Sequence, residues 1–192
     1  MVKSENPAIL VIDMVKDYFE PERNLRISPQ AKAIIKPIRD LTVQFRNNDW
    51  PVIYSTDSFK EDDFIFTGRM KPDSLAGTEG AEVIDELERE ENDLWLPKPR
   101  FSAFFKTGLE KYLKDKGVTL CAVAGIATPF CVLTTAMDSI AHDFKTVIVS
   151  DCSAATTETV HENTLALYRK TALFPLLSVK TSGELLSDLG VL

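Results

Sequence analysis

Ala8-Ile9-Leu10-Val11-Ile12 is an uninterrupted apolar run that ends on Asp13. Apolar residues in a row, without polar alternation, describe a strand covered on both faces, the condition of an inner strand in a parallel sheet. Runs of the same kind recur at Pro51-Val52-Ile53-Tyr54-Ser55, Leu94-Trp95-Leu96, Leu120-Cys121-Ala122-Val123-Ala124, Thr146-Val147-Ile148-Val149-Ser150 and Leu176-Leu177-Ser178-Val179. The segments between them read as helices over 30–48, 80–91, 107–116, 129–143, 157–171 and 181–188. Strands alternating with helices imply right-handed crossovers and hence an α/β fold: a three-layer α/β/α sandwich on a mainly parallel, six-stranded Rossmann-like sheet.

The chain has 192 residues, 44% of them hydrophobic and 27% charged, which fits a single globular domain over 1–192. With 22 Lys plus Arg against 29 Asp plus Glu, the net charge of -7 argues against nucleic-acid and anionic-membrane partners. The expected partner is a small molecule. Met1 to Pro7, with Lys3 and Glu5, has no secretory h-region, and no apolar run approaches the roughly 18 residues of a membrane span. Three cysteines, an odd number, make no disulfide framework and suggest a reducing compartment, with the cytoplasm as the expected address. The segment from Asp57 to Thr78 is the longest without clear periodicity. A loop of that length is expected to act as a lid or an oligomer contact.

Open parallel sheets bind ligands beyond the carboxyl ends of their strands, so the residues just after each run carry the candidates. They are Asp13, with Met14, Asp17 and Phe19; Lys98, between Pro97 and Pro99; and Gly125-Ile126-Ala127-Thr128-Pro129-Phe130-Cys131. Thr128 suits an N-cap and Pro129 the first helical position, which puts Cys131 in the first turn. There a helix dipole is expected to lower the thiol pKa, and free N–H groups could hold an oxyanion. The alternative is that Cys131 is a small buried core residue. Cys121 reads as core, while Cys152 follows the fifth strand with no helix start beneath it. A thiol nucleophile needs a proton acceptor. His142 would sit about 16 Å further along the same helix, and His161 reads as a solvated surface histidine. Asp13 is the better acceptor, with Lys98 as the partner that a buried carboxylate requires. On this reading Asp13→Asn should raise the apparent thiol pKa. The alternative is an ion pair that merely fixes the strand ends.

Three motifs in this order, Val11-Ile12-Asp13-Met14-Val15-Lys16-Asp17-Tyr18-Phe19, Lys98-Pro99-Arg100-Phe101-Ser102-Ala103-Phe104 and Gly125-Ile126-Ala127-Thr128-Pro129-Phe130-Cys131-Val132, resemble the isochorismatase-like cysteine hydrolases. The resemblance implies Asp13 as general acid/base, Lys98 as the group that stabilises the thiolate and orients Asp13, and Cys131 as nucleophile. It also implies an oxyanion hole from the backbone N–H groups of Ala127 and Cys131, with a cis peptide between Ile126 and Ala127. Phe19, Trp95, Phe104, Thr128 and Phe130 are candidate substrate contacts, with core packing as the alternative for the aromatics, and Arg100 is a candidate carboxylate anchor.

Nicotinamidases of this superfamily carry an Asp-x-His metal motif and a further His in the loop after the second strand. Here the stretch is Asp57-Ser58-Phe59, and Asp73 stands in the place of the further His. No metal and no cofactor is therefore expected, although Asp57, Asp63 and Asp73 are the residues that could hold a hard cation. The presence of Cys131 favours C–N bond hydrolysis over cleavage of a vinyl ether. The better resemblance is to the N-carbamoylsarcosine amidase-like branch, which implies a small amide or ureido substrate and ammonia release. A nicotinamidase or pyrazinamidase, an isochorismatase and a non-catalytic family member are the alternatives. Members of the superfamily assemble as homodimers or homotetramers, which is the expectation here.

Overall fold

The strands Pro7–Ile12 (β1), Val52–Asp57 (β2), Leu94–Lys98 (β3), Leu120–Ile126 (β4), Lys145–Ala154 (β5) and Leu177–Lys180 (β6) form one sheet in the order β3-β2-β1-β4-β5-β6. Every neighbouring pair is parallel. These are the coordinates of a computed structural model that describes residues 5–191, so Met1–Ser4, including Lys3 of the N-terminal reading, lie outside the described residues. All six residues of β1 are buried, in keeping with its unbroken apolar run. Its register pairs Ile9 with Val52 on one side and with Ala122 on the other. The chain winds outward in both directions from β1 and β4, so the strand order reverses between them, where ligands bind in such sheets.

The two faces of the sheet are covered separately, which makes the three layers. On one face Ile9 and Val11 pack with Ala31 of Ser28–Ala33 (α1), with Ile38, Leu41 and Phe45 of Ile35–Asn47 (α2), and with Leu185 and Leu186 near the chain end. The other face joins Ala8, Leu10 and Ile12 to Leu109 and Leu113 of Leu109–Asp115 (α3), Ala136 of Leu133–Ala141 (α4) and Leu165 of Glu158–Ala166 (α5). Ser182–Asp188 (α6) completes the first layer. Each Val, Leu, Ile or Phe side chain among these contributes on the order of 1.5–3 kcal/mol when fully buried. The buried positions of α2 fall at Ile38, Leu41, Thr42 and Phe45, the three-four spacing of one helical face. The helix expected over 30–48 is split at Ile34 because Pro37 lacks an N–H and its ring crowds the carbonyl of Ala33.

One expected helix is absent. Residues 80–91 form only short 3-10 turns at Glu79–Ala81 and Asp85–Leu87. Their backbone is drawn to the end of β1 instead: Lys16 N donates to Glu82 O at 3.0 Å and Ile84 N to Met14 O at 3.1 Å, around a bridge between Val15 and Val83. Burial of Ile84 and Leu87 under that bridge overrides a local helical pattern. The 157–171 helix likewise stops at Ala166, and the 129–143 helix opens with a π-helical turn, Thr128–Val132, before α4.

Gly125, next to last in β4, has φ +107°, and a Cβ there would lie 2.1 Å from the carbonyl oxygen of Ile12. Only glycine allows the two strand ends to approach so closely. The loop after β2 is held by three ties. Phe59 is buried edge-to-face on Phe66 at 5.5 Å, Asp63 pairs with Arg100, and Asp17 Oδ2 accepts the N–H of Ser74 at 2.6 Å.

Candidate active site

Asp13 is the first residue after β1 and has φ +53°, a left-handed conformation that Asp tolerates better than most residues. Its N–H donates to Ser55 O at 2.9 Å, and its Oδ1 accepts the N–H of Asp57, the last residue of β2, at 2.7 Å. Lys98 closes β3 in register with Asp57 and is completely buried. Its Nζ donates to Asp57 Oδ1 and lies 2.9 Å from Asp13 Oδ2. That second contact is an ion pair without hydrogen-bond alignment, so Asp13 Oδ2 is a buried carboxylate oxygen with an unused acceptor site. Cys131, in the π-helical turn after β4, brings its Sγ within 4.8 Å of carboxylate oxygens of both Asp13 and Asp57.

The electrostatics of this cluster run against a preformed thiolate. Burial, with Asp13 and Asp57, pushes the Cys131 thiol well above its ordinary pKa, and the nearby Lys98 does not reverse this. The expected lowering by a helix start is therefore corrected: the thiol is protonated at neutral pH. Burial pulls Lys98 down, but the carboxylates of Asp13 and Asp57 outweigh it and hold the ammonium firmly charged. Burial and the adjacent Asp13 raise Asp57 to about 7 against the pull of Lys98. Tyr18, raised well above its usual range by burial and then by Asp57 and Asp13, keeps its proton, and its hydroxyl lies 3.5 Å from Asp57 Oδ2 and 3.4 Å from Asp73 Oδ1.

A cavity of about 530 Å³ opens on this cluster. Asp13, Asp57, Asp73, Tyr18 and Cys131 line it together with Leu25, Arg26, Ile27, Met70, Phe101, Ile126, Ala127, Phe130 and Thr156. Asp13, Cys131, Ala127 and Phe130 thus share one space, and Lys98 touches it through its two carboxylates. The peptide between Ile126 and Ala127 is cis.

The other candidate contacts lie elsewhere. Trp95 projects from the edge strand β3, donates to Thr56 Oγ1 at 3.0 Å and borders a separate hollow with Arg89. Phe104 belongs to the core and stacks on His142 and Phe144 at 5.0 and 6.2 Å. Phe19 packs against the opposite core. Arg100 does not line the cavity, because its guanidinium is held by Asp63 at 2.9 Å. The Thr128 hydroxyl is buried on His161 Nδ1 at 2.8 Å, so His161 is a buried structural partner and not a surface residue. Cys121 and Cys152 are fully buried in the two cores. Tyr18 stood one residue from the aromatic that was singled out, and only the 3-10 turn Lys16–Tyr18 decides which of the two faces the cavity. Arg26, Leu25, Ile27, Met70 and Phe101 come from segments without periodicity, which carry no such signal.

The three aspartates considered for a cation do not converge. Asp57 is taken by Lys98, Asp63 by Arg100, and Asp73 faces Tyr18. Asp13, Asp57 and Cys131 do form a close trio, but the Lys98 ammonium already supplies the positive charge between the two carboxylates. Phe59, two residues after Asp57, is a buried hydrocarbon and offers no ligand atom. These residues do not fit a resident metal.

A model of the isochorismatase domain matches residues 7–178. A probable inactive nicotinamidase of Arabidopsis thaliana is 32% identical over 168 residues, which are 81% of this chain and 84% of the relative. The crystal structure of an isochorismatase-like hydrolase from Alkaliphilus metalliredigens superposes with a TM-score of 0.84 at 30% identity, covering 95% of this chain and 98% of that one. That of N-carbamoylsarcosine amidase from Thermoplasma acidophilum gives 0.77 at 29% identity, with 92% and 96% covered. The match runs from the first residue of β1 into β6 and includes Asp13, Lys98 and Cys131, and the chain belongs to the isochorismatase domain family.

Proposed function

We propose that the protein is a cysteine-dependent amidohydrolase that cleaves a C–N bond of a small amide or ureido compound and releases ammonia. The observation that carries this reading is the convergence of a thiol, a carboxylate oxygen with an open acceptor site and a buried ammonium at one cavity. N-carbamoylsarcosine amidase among the structural neighbours supports the C–N bond as the target.

Asp13 Oδ2 takes the Cys131 proton as the sulfur attacks the carbonyl carbon, so that a C–S bond forms while the carbonyl π electrons move onto oxygen. Because the thiol rests protonated, proton transfer and attack are coupled. The Lys98 ammonium offsets the negative charge that passes through Asp13 and sulfur. Backbone N–H groups of Ala127 and Cys131 receive the oxyanion. Collapse breaks the C–N bond, and the Asp13 carboxyl returns its proton to the leaving nitrogen. Asp13 then takes a proton from water, which attacks the thioester carbon; the C–S bond breaks and the thiolate recovers the proton.

Ammonia release from nicotinamide, pyrazinamide, N-carbamoyl amino acids, biuret and simple amides tests the reading. At least one should be turned over by the wild type and none by Cys131→Ala, with both proteins showing the same thermal unfolding. Turnover retained in the pure Cys131→Ala protein removes the mechanism. A wild type inert toward the whole panel favours a non-catalytic family member, as the Arabidopsis relative is named.

A further inference from the structure

The π-helical turn Thr128–Val132 begins right after Ala127 and carries Cys131, and its first side chain, Thr128, is fully buried. The Thr128 hydroxyl lies 2.8 Å from His161 Nδ1, its one hydrogen-bond partner among the described residues. His161 is buried too and stands in α5, 33 residues further along, so the turn that holds the sulfur is tied to a helix of the outer layer. The other ring nitrogen, Nε2, faces the Glu162 carboxylate at 4.0 Å. A proton on Nε2 meets that negative group and leaves Nδ1 bare to accept the hydroxyl proton. Burial lowers the His161 pKa, Glu158 and Glu162 push it back, and Arg169 adds to the lowering, so the ring is neutral near pH 7 and able to accept. His161 does not line the cavity at Cys131. It borders a separate hollow of about 220 Å³ with Gln30, Ser150 and Asp151, and it reaches the reacting groups through Thr128.

Resting on the amidohydrolase reading above, we propose that His161 is a positioning residue: its bare Nδ1 accepts the Thr128 hydroxyl and so fixes the turn that aims Cys131 Sγ and the N–H groups of Ala127 and Cys131. A buried hydroxyl that loses its acceptor must find another partner, and Thr128 has none in place, so the turn has to shift to supply one. A misplacement of about 1 Å at reacting atoms can cost on the order of a hundredfold in rate. The same shift draws the sulfur away from Asp13 and Asp57, the carboxylates that help keep its proton on.

Iodoacetamide labelling, read for each cysteine by mass spectrometry, tests the tie without a substrate. His161→Leu should label Cys131 at least about threefold faster at pH 7, the gain from a thiol pKa lower by about half a unit. Cys121 and Cys152, in the two cores, should stay protected. On whichever amide the protein turns over, the same variant should lower kcat about tenfold or more at unchanged KM. His161→Asn, whose amide oxygen falls near the Nδ1 position, should restore both readouts. If His161→Leu does not fold, Thr128→Val removes the same bond from its other end. Cys131 labelling that is unchanged or slower, a wild-type kcat in His161→Leu, an Asn variant as altered as the Leu variant, or labelling of all three cysteines together overturns the assignment. The two readings fail separately: a Cys131-selective response in a protein that turns over none of the panel removes the hydrolase and keeps the tie, while turnover that needs Cys131 but is indifferent to His161 does the reverse.

Discussion

Replacing Lys98 by Met removes a charge that two buried carboxylates share while leaving a side chain of similar length. Lys98 has no exposed surface, and Asp13 and Asp57 are almost as buried. Deleting one partner of a buried ion pair costs about 3–5 kcal/mol, because the remaining charge is left uncompensated. For a domain of this size each kcal/mol moves Tm by about 2–4 °C, so Lys98→Met should melt roughly 6–20 °C below the wild type near pH 8. The pH dependence follows from Asp57. A carboxyl raised in the folded state, here from 3.8 to about 7, contributes stability that is fully present below the unfolded value and lost as pH rises through the folded one. Lys98 pulls Asp57 down, so its loss raises that carboxyl further and widens the window in which stability falls, by up to about 1.4 kcal/mol per pH unit. The deficit of Lys98→Met should therefore be smaller at pH 5.5 than at pH 8. Circular dichroism melts of both proteins at the two pH values measure it. A variant within about 1 kcal/mol of wild type at pH 8, or a deficit that does not change with pH, would refute the reasoning.

Asp13→Asn should lower the thiol pKa, the reverse of the sequence-based expectation, because the Asp13 charge is one of the causes that raise it and Lys98 then faces the sulfur less opposed. Iodoacetamide should label Cys131 faster at pH 7 in that variant even as turnover disappears, and slower labelling would contradict the electrostatic account. Gly125→Ala forces a Cβ to 2.1 Å from Ile12 O at φ +107° and should destabilise by about 2–4 kcal/mol in urea unfolding; a neutral effect would deny the close approach. Asp17→Ala frees the Ser74 N–H and Arg23, a loss of about 1–3 kcal/mol that should speed proteolytic cleavage within 57–78. Unchanged cleavage kinetics would show that Asp17 does not tie that loop down.

The sheet was readable because its inner strands are buried on both faces and so are apolar at every position, as in β1. The failures share one cause. Helical spacing in 80–91 reported real burial of Ile84 and Leu87, but the backbone partner that decided their conformation, Val15, is far away in the chain. In the site, Asp13, Lys98 and Cys131 were legible because polar or reactive residues at buried strand ends need a reason to be there. Of the rim aromatics only Phe130 was, since Phe19, Trp95 and Phe104 differ from it and from Phe101 only in which way a short turn or an edge strand faces. The sign of the thiol shift was missed because a helix start is a local feature, whereas burial and two carboxylates from other strands are not.

Asp13, Asp57, Lys98 and Gly125 all stand at the ends of hydrogen-bonded neighbouring strands. Neighbouring strand ends are held at an inter-strand spacing of about 4.8 Å, a length fixed by backbone chemistry and not by any side chain. The reacting end of the cavity is thus ruled by the sheet as if on a grid, while Arg26, Met70 and Phe101 sit on connections that can be rebuilt freely. Insertions and exchanges in those connections alter which molecules fit without moving the thiol relative to its acid. A lineage built on this chassis can change its diet by loop substitution alone.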